Sequence, residues 1–409
     1  MKIALLTEKY TPDIGGLAIS SERLARLLSS SGCEVRVFSP TGNLPPSDQR
    51  TLPSSGLAVT RFGAHKRTDD TLVDWFDLII EEHVRAPFDL LHAYFLTQAG
   101  FIATLAGRYL NIPSVVSIRG NDIDRAAFDP SRFSHTMFAL QNANVVTANA
   151  KDSVRKAKAF FDREIILIPN GVDTEHFKPL KKNQALVESL KLDNLVTLSG
   201  AVRHEGSLLQ TGETLRSQRT LPQSDMVPVI GFVGELREKK GMKTLLSAYA
   251  QACKKCAATL LIVGVIRQGE DKQAFDEFVS ANPNLKIIVT GYVAPPDLPS
   301  YYSLMDVFVH PSIHDGMPNA ILEAMACERA IIATPAGGTK DIIEDGKNGM
   351  LVNVNDADAL TEKIVELLDD PEKRARLGKS ARESVIEKFT LANELDANLN
   401  VYRKLGIDF

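Results

Sequence analysis

Twice along the chain, a short and continuously apolar stretch runs into a glycine-bearing turn and then into an amphipathic segment. The first copy is Lys2–Leu6, followed by a turn through Tyr10, Pro12, Gly15 and Gly16, and by a helical pattern starting near Ser20-Ser21 with Leu24, Leu27 and Leu28 on one face. The second is residues 227–233, followed by Gly234 to Gly241 and a pattern with Met242, Leu245, Leu246 and Tyr249 on one face. A short run that is apolar at every position fits a strand buried on both faces. Strand, turn and helix in succession are the building unit of a parallel sheet covered by helices, so two restarts predict two such sheets. Length agrees: 409 residues exceed one core and suit two domains of about 150–200 residues each.

The strands expected in the first half are 34–38, 89–94, Ser114–Ile118, 143–148 and 165–168; those in the second are Thr259–Val263, 287–293, 306–310 and Ala330–Ala333. Residues 41–56, rich in Pro, Ser and Gly, read as loop, and 151–163 as a basic helix. Residues 179–226 show no sustained periodicity and read as an interdomain linker or insertion, with a short strand or hairpin near 195–202. Helices are expected over 356–368 and 371–388, and a last one, capped by Thr390, to about residue 405. The domains are therefore 1–178, linker 179–226, 227–389 and a terminal helix in 390–409.

Open parallel sheets bind ligands beyond the carboxyl ends of their strands, so the turns carry the chemistry. Composition narrows what that chemistry is. A net charge of −4 gives no global attraction to nucleic acid. Neither G-x-G-x-x-G nor G-x4-G-K-[ST] occurs, which argues against a nicotinamide dehydrogenase and a P-loop enzyme. Cys253 and Cys256 form a C-x2-C with no second pair or nearby His, and Asp122-Ile123-Asp124 only mimics a metal-binding D-x-D, so no metal site is expected. Four cysteines, a start too briefly apolar for a signal peptide and no run of about 18 apolar residues together predict a cytoplasmic chain without a spanning helix. The cations of 151–163 face either solvent or an anionic membrane surface, the latter placing the chain peripherally at the inner membrane face.

The richest turn lies in residues 309–351. Asp315 and Glu323 stand eight positions apart, with Gly316, Met317, Pro318 and Asn319 between them and good helix formers from Ala320 onward. Gly316 permits a tight backbone and Pro318 suits a first helical position. Asp315 then precedes a helix N-terminus and Glu323 follows its first turn, with unpaired N–H groups between them that suit a phosphate or sugar. Gly337, Gly338 and Thr339 repeat the strand–glycine–helix device.

The order of a strand ending in Pro-Ser, an acidic-Gly-x-Pro-Asn turn, a Leu-Glu-Ala-Met-Ala helix and a Gly-Gly loop resembles the donor site of the family 4 retaining glycosyltransferases, as does Ile168-Pro169-Asn170-Gly171-Val172-Asp173. Most of the chain outside the insertion shares the likeness. It implies the GT-B architecture, two facing Rossmann-like α/β domains with a final helix that crosses back to the first. It also implies transfer from a UDP-, GDP- or dTDP-linked sugar to a sugar or lipid-linked hydroxyl acceptor, with retention, no cofactor and no metal, in polysaccharide, glycolipid or glycoconjugate synthesis. By the same resemblance Glu323 holds the ribose, and Asp315 with the backbone from Gly316 to Ala320 orients the sugar. Gly15 and Gly16 approach the diphosphate, and Tyr292 and Val293 lie by the base.

Where the family places Arg directly after Gly234, this chain has Glu235, so Arg237 with Lys240 is assigned to the departing diphosphate, and Asp315 replaces the family's usual Glu. Arg119 stands where many members have His. Arg119 and Asp122 are candidates for the acceptor side, together with His92, which faces either the cleft or the packing under a loop. An epimerase, a phosphorylase or a non-catalytic binder shares the scaffold. Release of an isomerised sugar without an acceptor marks the first, and a lysine-bound pyridoxal phosphate the second; the intact Asp315/Glu323 and Arg237/Lys240 sets argue against the third.

Overall fold

The computed structural model describes residues 1–13, 15–54, 57–126, 128–192 and 227–407. Its strands, in chain order, are β1 (Lys2–Leu6), β2 (Glu34–Thr41), β3 (Gln49–Ser54), β4 (Leu57–Gly63), β5 (Leu90–Ala93), β6 (Ser114–Ile118), β7 (Val145–Ala148) and β8 (Ile166–Leu167), then β9 (Val229–Val233), β10 (Thr259–Val263), β11 (Ile287–Val289), β12 (Val307–His310), β13 (Ala330–Ala333) and β14 (Met350–Leu351). The first eight form one sheet in the order β3-β4-β2-β1-β5-β6-β7-β8, and the last six a second in the order β11-β10-β9-β12-β13-β14. Every pairing is parallel except β3 with β4. The second sheet has the doubly wound order of a Rossmann domain, and in each sheet the order reverses once, between β1 and β5 and between β9 and β12.

The all-apolar strands follow from this layering. β9, β10, β12 and β13 are buried at every position because helices cover both faces. In the first domain one face of the sheet packs Trp75, Ile79 and Ile102 against Leu6, Leu91 and Val116. The other face packs Ile3, Leu5 and Val37 against Leu24 and Leu28, and also against Leu399, Val401 and Tyr402. Those last three belong to the helix Leu391–Lys404, so the terminal helix does cross back to the first domain. Its start is a capping box between Thr390 and Asn393.

The interdomain crossing is a close pass of two chain segments. Val172 N–H donates to Phe389 C=O at 2.9 Å, and Gly171 N–H to Glu394 Oε2 at 2.9 Å. A Cβ on Gly171 would lie 2.5 Å from the Thr390 carbonyl oxygen, so the pass requires glycine. From Val172 onward the chain packs on the second domain: Phe177, Val187 and Leu192 share a core with Tyr302, Phe308 and Leu322.

Three local expectations change. The helix of the first turn spans Gly16–Ser30 and starts four residues early, because Ser20 and Ser21 do not cap it but return their hydroxyls to the Leu17 and Ala18 carbonyls. The expected loop at 41–56 contains β3, an edge strand whose polar residues need only one partner strand. The linker contains a helix, Gln184–Ser189, capped by Asn183, too short to show periodicity. The strand or hairpin expected near 195–202 lies outside the described residues.

Candidate active site

The two strands that flank the reversal in the second sheet run out into a cluster of charge. β9 runs out into Gly234–Gly241, where Lys240 ends a single 3-10 turn, Glu238–Lys240. Gly241 follows in the left-handed region (φ +75°), and a Cβ there would lie 2.0 Å from the Pro311 carbonyl oxygen. This packs the β9 turn against the β12 turn. β12 ends at His310 and runs through Pro311 and Ser312 to Asp315.

Asp315 is the meeting point. Its Oδ2 accepts from the Lys240 ammonium and from His310 Nε2 at 3.0 Å, and its Oδ1 accepts from Gly316 N–H at 3.0 Å. Burial works to raise this carboxyl's pKa, but the Lys240 cation and the His310 hydrogen bond overcome it and hold the group well below the usual carboxylate range. His310 is itself enclosed, its ring stacked near Phe232 and Phe308. Burial lowers its pKa against the pull of Asp315, so a neutral imidazole donates to a carboxylate. Sequence reasoning passed over His310; a histidine closing an otherwise apolar strand five residues before Asp315 was the available signal.

Behind Asp315 the chain enters the helix Asn319–Ala326, with Pro318 as the residue before the helix and not its first. Gly337 and Gly338 prove to be a brace for this turn. A Cβ on Gly337 would lie 1.8 Å from the Asp315 carbonyl oxygen, and Gly338 N–H donates to the Gly316 carbonyl at 2.5 Å. One helical turn on, the Tyr302 hydroxyl donates to Glu323 Oε2 at 2.8 Å. Burial raises the Glu323 pKa, opposed by Tyr302 and by Arg23, a guanidinium of the first domain. Arg237, in extended backbone conformation just before the 3-10 turn, has its Nη1 3.2 Å from Glu235 Oε2 and a buried Nε with no partner among the described residues. Tyr292 is 61% exposed and Val293 half-buried, just beyond β11.

The first domain meets this turn directly. Gly15 (φ +132°) precedes the helix Gly16–Ser30, and a Cβ on either Gly15 or Gly16 would meet nothing within 4 Å, so that helix N-terminus is open. Arg119 lies 4.1 Å from the Tyr94 ring centroid and donates to Asn170 Oδ1. Asn170 in turn donates to Asn319 Oδ1 at 2.7 Å and to Met317 C=O at 3.3 Å, which joins the domains across the cleft. A Cβ on Gly120 would lie 2.5 Å from the Gly316 Cα. The two loops therefore touch backbone to backbone.

One acceptor-side expectation is corrected and a second is narrowed. His92 does not line the cleft: it is fully enclosed, with Nδ1 2.6 Å from the Tyr402 hydroxyl and Nε2 2.8 Å from the Ser117 hydroxyl. Burial, with the Arg119 cation, lowers its pKa to about 3. Asp122 is spent on the backbone, accepting from the N–H groups of Leu96, Arg119 and Ile123. It shapes the loop and has little capacity left for a ligand.

The basic helix spans Lys151–Phe160. Lys156 pairs with Asp124 and Asp152, Arg155 with Asp152, and Lys151 lies by Asp341 of the second domain. Arg163 donates to the carbonyls of Leu140, Ala143 and Asn144. Most of this charge is thus engaged within the protein. No helix among the described residues is long and apolar enough to cross a membrane. Burial raises the thiol of Cys256 to about 11, and it packs with Cys253 at the edge of the second core.

Comparison with known proteins agrees with this geometry. The Glycosyltransferase Family 4 profile matches residues 14–176 and the Glycosyl transferases group 1 profile residues 215–384. The chain belongs to the family 4 glycosyltransferases of GT-B architecture. Among curated relatives of this glycosyltransferase, α-maltose-1-phosphate synthase of Mycolicibacterium smegmatis is 24% identical, over 99% of this chain and 100% of that protein. Among solved structures, sucrose-phosphate synthase of Thermosynechococcus elongatus superposes with a TM-score of 0.79 at 22% identity, over 99% of this chain and 98% of that one. HepE of Anabaena, solved with UDP-glucose, superposes at 0.76 with 18% identity, over 99% and 100%. At these identities the structural likeness concerns the fold of the glycosyltransferase.

Proposed function

We propose that this glycosyltransferase takes a nucleoside-diphosphate sugar as donor and moves the sugar to a hydroxyl acceptor with retention of configuration and without a metal. The observation that carries the reading is the meeting of Lys240 and the N-terminus of the helix Asn319–Ala326 at Asp315, with Arg237 in the same turn three residues before Lys240, at the strand-order reversal of the second sheet. Two cations and open N–H groups at such a crevice suit a diphosphate. Breaking the sugar–phosphate bond leaves extra negative charge on the departing phosphate, which Lys240 and Arg237 neutralise as it forms. Lys240 exchanges part of its pairing with Asp315 for the phosphate, which frees Asp315 to accept from the sugar hydroxyls. Glu323, oriented by Tyr302, takes the ribose hydroxyls. The leaving diphosphate oxygen takes the acceptor proton. HepE, solved with UDP-glucose, supports the donor class.

The test is a screen of nucleotide sugars for binding and slow hydrolysis, repeated with Glu323→Ala and Lys240→Ala. We expect wild type to bind at least one donor and both variants to bind it more weakly. Binding to none, or equal binding by both variants, removes the assignment. Proton NMR of the first-formed product reads the anomeric configuration, and turnover in excess chelator reads the metal requirement.

A further inference from the structure

The first sheet has its own reversal of strand order, between β1 and β5, and a pocket of about 160 Å³ lies there. Glu8 and Lys9 reach it from the end of β1, and Thr97 from beyond β5. Arg132 reaches it from the helix Pro130–Asn142. Leu17 and Phe95 supply apolar wall, and the backbone-bound Asp122 closes it. Two residues before Asp122 stands Gly120, whose backbone abuts Gly316, so a single loop separates this pocket from the sugar-orienting turn.

The groups in the pocket define a chemistry. Glu8 is anchored through Oε1, which accepts from the Thr97 hydroxyl and from Gln98 N–H at 2.9 Å. That leaves a carboxylate held in one orientation, able to take a hydroxyl hydrogen bond. Two cations stand among the lining residues beside the acids Glu8 and Asp122: Arg132, whose charge acts on Glu8, and the exposed Lys9. Arg132 Nε lies 3.1 Å from Asp129 Oδ2, but both side chains are more than a third exposed, so that pair is of small energetic weight and does not consume the cation. The volume equals that of about five waters at ~30 Å³ each, room for one polyol unit and not for a glycan chain.

We infer that this pocket receives the acceptor, and that the acceptor is a small hydroxylated anion: Glu8 takes the hydrogen bond of a hydroxyl, and Lys9 and Arg132 hold a phosphate or carboxylate. This deepens the donor reading above and depends on it only in naming the ligand an acceptor. The cations discriminate against neutral sugars, because a desolvated anion pairs with them through charge-assisted hydrogen bonds that a neutral hydroxyl cannot match.

Calorimetric titration of the full chain with glucose 6-phosphate, glycerate and uncharged glucose tests it. We expect one or both anions to bind at least ~10-fold more tightly than glucose, the scale of one charge-assisted contact. The two anions separate phosphate from carboxylate recognition. Arg132→Gln and Lys9→Gln should each weaken the anion ~10-fold without moving Tm, since both residues are at the surface, whereas Asp129→Asn should not weaken it. Glucose binding as tightly as both anions, or anion affinity unchanged in both variants, overturns the inference. A second measurement on wild type alone is competition by inorganic sulfate, which should displace the bound anion; failure to do so also counts against it. Anion binding without any nucleotide-sugar binding would sink the donor reading and leave the pocket; donor turnover without anion binding would do the reverse.

Discussion

Asp315 serves two ends that pull on the same oxygen. It neutralises Lys240 and accepts from His310, and in the proposed reaction it must also meet the sugar. For Asp315→Ala we expect nucleoside-diphosphate binding to persist, because Glu323 and the helix N–H groups are untouched, while turnover falls at least ~100-fold, the scale of a lost transition-state contact. Single-turnover kinetics beside a binding titration separates the two; unchanged turnover removes Asp315 from the mechanism. His92 and His310 make a prediction of the opposite kind. Burial lowers the pKa of both in the folded protein, that of His92 to about 3. In the unfolded chain each takes up a proton near pH 6.5. For His92 the unfolded state binds more protons between those values, so stability falls as pH falls, by up to about 1.4 kcal/mol per pH unit, and His310 adds in the same direction. Urea unfolding at pH 7, 6 and 5 checks the slope, and His92→Asn should flatten it.

At the scale of elements, the site is built from turns that glycines let approach one another. Gly120 against Gly316, Gly337 against the Asp315 carbonyl, and Gly241 against Pro311 are three contacts that no Cβ could share. Gly120→Ala must part the two loops by more than an ångström, since a Cβ there would lie 2.5 Å from the Gly316 Cα. In the proposed reading the donor is held mainly by the other domain, so its binding should survive, while turnover should drop by roughly 100-fold, as misplacement on that scale costs in other enzymes. A substitution that left turnover intact would show that the loops need not touch during the reaction. That Arg119-Gly120 closes over Asp315-Gly316 follows from the two-domain architecture the resemblance implies and not from any local signal, because the two loops are nearly two hundred positions apart.

Over the whole molecule, a close pass of two chain segments and the Arg23–Glu394 ion pair help to hold the terminal helix to the first domain. Glu394, almost fully buried, accepts from Arg23 Nε at 3.0 Å and from Gly171 N–H at 2.9 Å. Removing it strands a guanidinium and an N–H, so Glu394→Ala should cost about 3–5 kcal/mol, seen as a lower denaturant midpoint, with Glu394→Gln recovering part through its retained amide oxygen. An undiminished midpoint would show that the crossing is held by its apolar contacts, Tyr402 and Leu399 among them. The two sheets, most strand positions and the Asp315–Glu323 turn were determined by the sequence alone, because apolar runs, glycine turns and helix signals are local and their period is set by backbone geometry. Tertiary structure alone decided which polar residues face the cleft. His92 and Asp122 stand at strand ends like His310 and Asp315, yet Tyr402 and Ser117 enclose the first and backbone N–H groups saturate the second. Whether a polar side chain is spent on its own fold or left for a ligand depends on partners brought from distant positions, and spacing along the chain does not record them.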